Sequence, residues 1–103
     1  MVRTVLSMLV RPGDEGEFEA AWRASAERIA RWPGNLGQTL SRDTRQPRQY
    51  VIASDWDSVQ SLREFETSAE RQALSARLDR LRESAAKSVQ EVLFVTPPLE
   101  GAR

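Results

Sequence analysis

The sequence predicts an α+β fold of order β-α-β-β-α-β, and three observations predict it. Runs rich in β-branched and apolar residues at Thr4 to Val10, Gln49 to Trp56 and Ser88 to Val95 have the character of strands. Apolar residues recur at helical spacing from Phe18 to Ile29 and again from Leu74 to Ala85. Pro12-Gly13, Pro33-Gly34 and Pro97-Pro98 punctuate the chain at the ends of three of these segments.

The first strand, Thr4 to Val10, is stopped by Arg11-Pro12-Gly13. Asp14 can then cap a helix, with Glu17 three residues on to complete a capping box. Phe18, Ala21, Trp22, Ser25 and Ile29 give this helix one apolar face, and Glu19 to Arg23 and Glu27 to Arg31 are favourable pairs on the wet side. Pro33 disfavours helical geometry in the residue before it, so the helix ends near Arg31. Leu36 to Arg42 alternates weakly and forms a second strand. Asp43 to Arg48 is a polar turn, and Gln49 to Trp56 is the third strand, completing a hairpin. Along it Tyr50, Ile52, Ser54 and Trp56 share one face, and Val51 and Ala53 the other.

Asp57 or Ser58 opens a short helix. A box formed by Thr67 and Glu70 introduces a longer one from about Ala69 to Lys87, with Leu74, Leu78, Leu81 and Ala85 as its buried stripe. Ser88 to Val95 is the fourth strand, ended by Pro97-Pro98. The reading is one domain over residues 1–96 followed by a flexible tail over 97–103. The order is the ferredoxin-like split βαβ arrangement, which predicts a four-stranded antiparallel sheet with the helices on one side.

The opposite side of that sheet bears on assembly. Strand one carries Leu6, Met8 and Val10 on one side and Val5 and Leu9 on the other; the expected strand four carries Val89, Leu93 and Val95 against Val92 and Phe94. A monomer leaves one of these faces in water, and an apolar patch of that kind marks an interface. Two sheets packed face to face would bury it, so the expected assembly is a homodimeric α+β barrel.

Composition narrows the chemistry. The 103 residues have a formal net charge of zero, and no basic stripe of the kind that holds nucleic acid is visible. There is no Cys and no His, which removes disulfides, thiolate or imidazole metal sites and Ser-His or Cys-His relays. No apolar run approaches the roughly 18 residues needed to cross a bilayer. The expectation is a cytoplasmic protein with neither nucleic acid nor membrane as partner.

Trp56-Asp57-Ser58 followed by Leu62, Phe65, Ser68 and Gln72-Ala73-Leu74, together with Arg11-Pro12-Gly13 and Pro33-Gly34, resembles the pattern of the antibiotic biosynthesis monooxygenase family. The resemblance covers Thr4 to about Val95 and implies a dimeric α+β barrel. Fold does not decide reaction, since the superfamily holds oxygenases that need no cofactor, haem-degrading oxygenases, cyclases and isomerases. Carried over residue by residue, the haem-degrading set falls near Leu6, on Phe65 and on Ser75, none of which matches the Asn, Trp and His of that branch. The anthrone-oxygenase pair of Asn and Trp falls on Ser61 and Phe65, which keep a hydroxyl and an aromatic wall but lose the amide and the indole N–H.

Trp22, Tyr50, Trp56 and Phe65 are the expected substrate-binding residues, surrounding one cavity between the first helix, the short helix and the sheet. Tyr50 and Ser61 are the candidate catalytic groups, and no metal site is expected. Asp57 is accounted for as a cap, Asp55 as a strand-end charge, and Asn35 and Gln38 follow the Pro33-Gly34 turn. The resemblance and an apolar cleft together imply a small-molecule tailoring enzyme without metal, haem or flavin, a monooxygenase acting on an aromatic or polyketide-like compound. A polyketide cyclase or isomerase on the same fold, and a ligand-binding dimer without catalysis, stand as alternatives.

Overall fold

The computed structural model describes residues 1–96; the expected tail at 97–103 lies outside the described residues. The elements are β1 (Val2–Val10), α1 (Glu15–Ala30), β2 (Asn35–Arg42), β3 (Gln49–Trp56), α2 (Val59–Glu66), α3 (Ala69–Asp79) and β4 (Arg82–Glu91). The four strands form one antiparallel sheet in the order β2-β3-β1-β4. The split βαβ order is therefore present, with the second helical segment in two pieces.

Strand parity decides what is core. Met8, Val10, Tyr50, Ile52, Ser54 and Trp56 are buried on the face that meets the helices. From above come Phe18, Ala21, Trp22 and Ile29 of α1, Leu62 and Phe65 of α2, and Leu74 and Leu78 of α3. The opposite face carries Val5, Leu9, Val51 and Ala53, all half-buried. There Arg3 grips Asp55 with two bonds, Nε to Oδ1 at 2.6 Å and Nη2 to Oδ2 at 3.0 Å. This bidentate pair raises the Arg3 pKa further above its already high value.

The caps differ in detail from the boxes expected. Asp14 makes no side-chain cap; its carbonyl accepts from Phe18 N at 2.9 Å instead. Ser58 caps α2 by accepting from Ser61 N at 3.1 Å, and Ser68 caps α3 by accepting from Arg71 N at 3.1 Å. In both places a serine in extended geometry is preferred over the neighbouring Asp57 or Thr67.

The last third corrects the sequence reading. The helix expected to reach Lys87 stops at Asp79, and β4 begins at Arg82 rather than Ser88. Residues 82–88 contain good helix formers, yet they pair with β1 from Val10↔Arg82 to Val2↔Glu91. The nine residues of β1 present backbone donors and acceptors along the whole of that side, and satisfying them outweighs a few tenths of a kcal/mol per residue in helix propensity. Leu81 stays buried in the turn, where its carbonyl accepts from Arg11 N at 2.9 Å. Ala85 moves from the expected helical stripe to an exposed strand position opposite Met8. Leu93, Phe94 and Val95 lie beyond the strand, and Leu93 and Phe94 are 85% and 83% exposed.

Candidate functional site

Where α1, α2 and α3 meet the sheet, packing is incomplete. The gap is a cleft of about 60 Å³ that opens to solvent. That volume has room for a few waters, so an organic ligand needs the side chains at the mouth to move aside. Its walls are mainly apolar: Leu6, Ile52 and Trp56 from the sheet, Trp22 and Ile29 from α1, Leu62 and Phe65 from α2, and Leu74 and Leu78 from α3.

The aromatic wall has a definite geometry. Phe65 stacks on Trp56 with ring centroids 5.0 Å apart and planes at 27°. Trp32 meets Phe65 edge-on at 5.5 Å and 72°, buttressing it from behind. The Trp56 indole Nε1 is buried and, among the described residues, has no hydrogen-bond partner. A buried donor without an acceptor costs about 1–3 kcal/mol, so an oxygen atom brought to it would be stabilised. Thr4, Gln38, Ser54 and Ser75 supply the uncharged polar lining. Gln38 is already oriented, its Nε2 donating to the Ala26 carbonyl at 2.8 Å.

Three of the four expected binding residues, Trp22, Trp56 and Phe65, line this one cleft. Tyr50 does not. It shares the helix-facing side of β3 with Trp56 but is sealed at the other end, with its ring 4.8 Å from Phe18. Its hydroxyl donates to Glu19 at 2.6 Å, and Arg42 binds the same carboxylate oxygen at 3.3 Å. Burial, then the bond to Glu19, pushes the Tyr50 pKa up, so this phenol is held protonated. Ser61 is likewise outside the lining. It accepts from Ser58 Oγ at 3.1 Å and packs against Gly34. A Cβ built on Gly34 would fall 2.4 Å from the Ser61 Cβ, and Gly34 has φ +89°, so glycine is required here on two counts. Asp55 is taken by Arg3 on the far face, and Asp57 is exposed beside Gly34.

Sequence reasoning missed the charged mouth. Glu66, Arg71, Arg82 and Lys87 line it, the first two from α2 and α3 and the others from β4. Arg71 was legible in principle, since it falls with Leu74, Ser75 and Leu78 at helical spacing i, i+3, i+4 and i+7. Arg82 and Lys87 were hidden by the mistaken helix over the start of β4. The positions reached earlier by resemblance, Leu6, Phe65 and Ser75, all line the cleft although their chemistry differs from the pattern carried over.

A small α+β protein with an aromatic-walled cleft between helices and sheet is thus the class that fold and site define. The chain belongs to the antibiotic biosynthesis monooxygenase family, whose sequence model matches residues 1–77. It is 31% identical to the uncharacterized protein YczJ of Bacillus subtilis, over 78% of this chain and 85% of that one. It is 33% identical over 58 residues to protein SchA of Streptomyces halstedii, a match covering 56% of this chain but 15% of the relative's length. Among solved structures it resembles SnoaB, a cofactor-independent oxygenase from Streptomyces nogalater, with a TM-score of 0.84 and 23% identity over 94% of this chain and 97% of that one. At that identity the likeness establishes the fold. No helix among the described residues is long and apolar enough to cross a membrane.

Proposed function

We propose that the protein is a cofactor-independent monooxygenase acting on a planar aromatic or polyketide-like substrate held in this cleft. The observation that carries the reading is the stacked Trp56–Phe65 wall of this apolar cleft, together with a buried indole N–H that has no partner among the described residues. Family membership and the likeness to SnoaB support it.

In such a reaction the substrate is its own reductant. An anthrone-type methylene loses two hydrogens and gains one oxygen atom, and the second oxygen atom leaves as water. Ionisation of the substrate to its enolate precedes electron transfer to O2. The walls exclude water and hold the ring in one orientation, while Trp56 Nε1 donates toward oxygen where negative charge develops. Thr4, Gln38, Ser54 and Ser75 are the uncharged polar groups of the lining available to orient a substrate carbonyl or phenol.

Oxygen uptake with an anthrone-type substrate, in chelator-treated buffer free of flavin, tests this. One O2 consumed per substrate is the expected result. Turnover of a polyketide chain that continues without oxygen would replace the reading with a cyclase or isomerase. Binding with no turnover in air would replace it with a ligand-binding role. The cleft sits within one subunit, and we propose that a second copy covers the outward face around Val5, Leu9, Val51 and Ala53 to make the homodimeric barrel. Sedimentation of a clean monomer at micromolar concentration would refute that assembly.

A further inference from the structure

At the mouth of the cleft the charges do not balance locally. Glu66 lines the mouth and is engaged by Lys87, and Asp79, in the adjoining depression, is engaged by Arg82. Arg71 is the third cation. Among the described residues its guanidinium has no carboxylate within ion-pair distance and no side-chain hydrogen bond, although Glu66 and Asp79 are near enough to act on it electrostatically. It is half-buried, and burial lowers its pKa from the ordinary arginine value, with nearby Arg82 adding to the effect. A desolvated guanidinium without a partner is costly, and the fold has placed it where the aromatic cleft runs into a shallower surface depression; Glu66, Arg71, Ser75 and Lys87 line both.

Resting on the reading of the cleft as a ligand site, we propose that Arg71 is its specificity-determining anchor and that the ligand is a planar aromatic compound bearing a carboxylate. The rings lie against Trp56 and Phe65, and the carboxylate reaches Arg71. A guanidinium offers two parallel N–H donors that match the two carboxylate oxygens, a geometry a lysine cannot reproduce. Ser75, four residues on along the same side of α3, adds a hydroxyl beside it. Lys87 and Arg82 hold Glu66 and Asp79. Were either free, it would neutralise Arg71 and repel the ligand.

The probes are anthracene-2-carboxylate and its uncharged carboxamide, titrated against the full chain by quenching of tryptophan fluorescence and checked by calorimetry. The carboxylate is expected to bind about tenfold to a hundredfold more tightly, the range of a charge-assisted hydrogen-bonded pair. Arg71→Gln should abolish that preference, bringing the two probes to equal affinity, and Arg71→Lys should restore only part of it. Equal affinity of the wild type for the two probes overturns the anchor while leaving the aromatic cleft in place. A full carboxylate preference in folded Arg71→Gln does the same. Failure of both probes to bind overturns the cleft reading and the anchor with it. Should Arg71→Gln not fold, the wild-type comparison and Arg71→Lys decide.

Discussion

Tyr50 and Trp56 stand six residues apart on one face of β3, equally buried, and meet different fates. At the Tyr50 end Phe18, Met8 and Val10 are fully buried with it, and its hydroxyl is satisfied by Glu19. At the Trp56 end three helices converge without closing, a cleft remains, and the indole N–H has no partner. The difference lies in the cover. A single helix, α1, lays Phe18 directly on Tyr50, whereas α1, α2 and α3 share the other end and leave a gap between them. One end is built for stability, the other retains an unmet hydrogen bond and unfilled volume, which is where binding energy is available.

Phe18→Ala should break the filled end. This side chain is fully buried, and its loss leaves a cavity next to Tyr50, so unfolding free energy should fall by ~3–5 kcal/mol in a denaturant titration, with ligand affinity unchanged in the folded fraction. At the other end Gly34→Ala forces a side chain onto a left-handed backbone and into Ser61, which should cost about 1–3 kcal/mol. The double variant Gly34→Ala/Ser61→Gly removes the collision with Ser61 but keeps the approach to Asp57 Oδ1 at 2.8 Å and the backbone strain, so it should recover part of the loss; full recovery would mean that both are tolerated.

Phe65→Ala sharpens the comparison most. Because one side of the ring borders the cleft, its truncation should cost about 2 kcal/mol, less than a filled core position, and should weaken aromatic ligand binding. A loss as large as that of Phe18→Ala with ligand affinity unchanged would make Phe65 plain core. Tyr50→Phe should have the smallest effect, about 1 kcal/mol, since Glu19 keeps Arg42. Its pH dependence is diagnostic. The folded-state pKa of Tyr50 is raised, so its contribution is complete below the unfolded value near 10 and is lost as pH rises through the higher folded value. Wild-type stability should therefore decline above pH 10, and Tyr50→Phe should lack that part of the decline.

Much of this was legible from periodicity. Trp22 and Phe65 were identifiable because they sit on apolar helical stripes, and Tyr50, Ile52, Ser54 and Trp56 because strand parity puts them on one face. Parity could not say that the two ends of that face differ, since this depends on which helix covers which end. The long final helix was misread because Arg82 to Lys87 carries local helix preference, while the demand of β1 for a neighbour is invisible in the segment itself. The same error concealed Arg82 and Lys87, and with them the unpaired state of Arg71. Ser61 fell four residues before Phe65 and suggested a shared site, but its neighbour is Gly34, brought there by the turn between α1 and β2.

The most direct test sets the two ends side by side. A tricyclic phenol of the anthrone type is titrated by calorimetry into wild type, Phe65→Ala and Tyr50→Phe under identical conditions, each first verified as folded. Loss of aromatic stacking should weaken binding about tenfold in Phe65→Ala, and Tyr50→Phe should bind as the wild type does. Weakened binding in Tyr50→Phe with none in Phe65→Ala would contradict the division of β3 into a sealed end and a ligand-binding end.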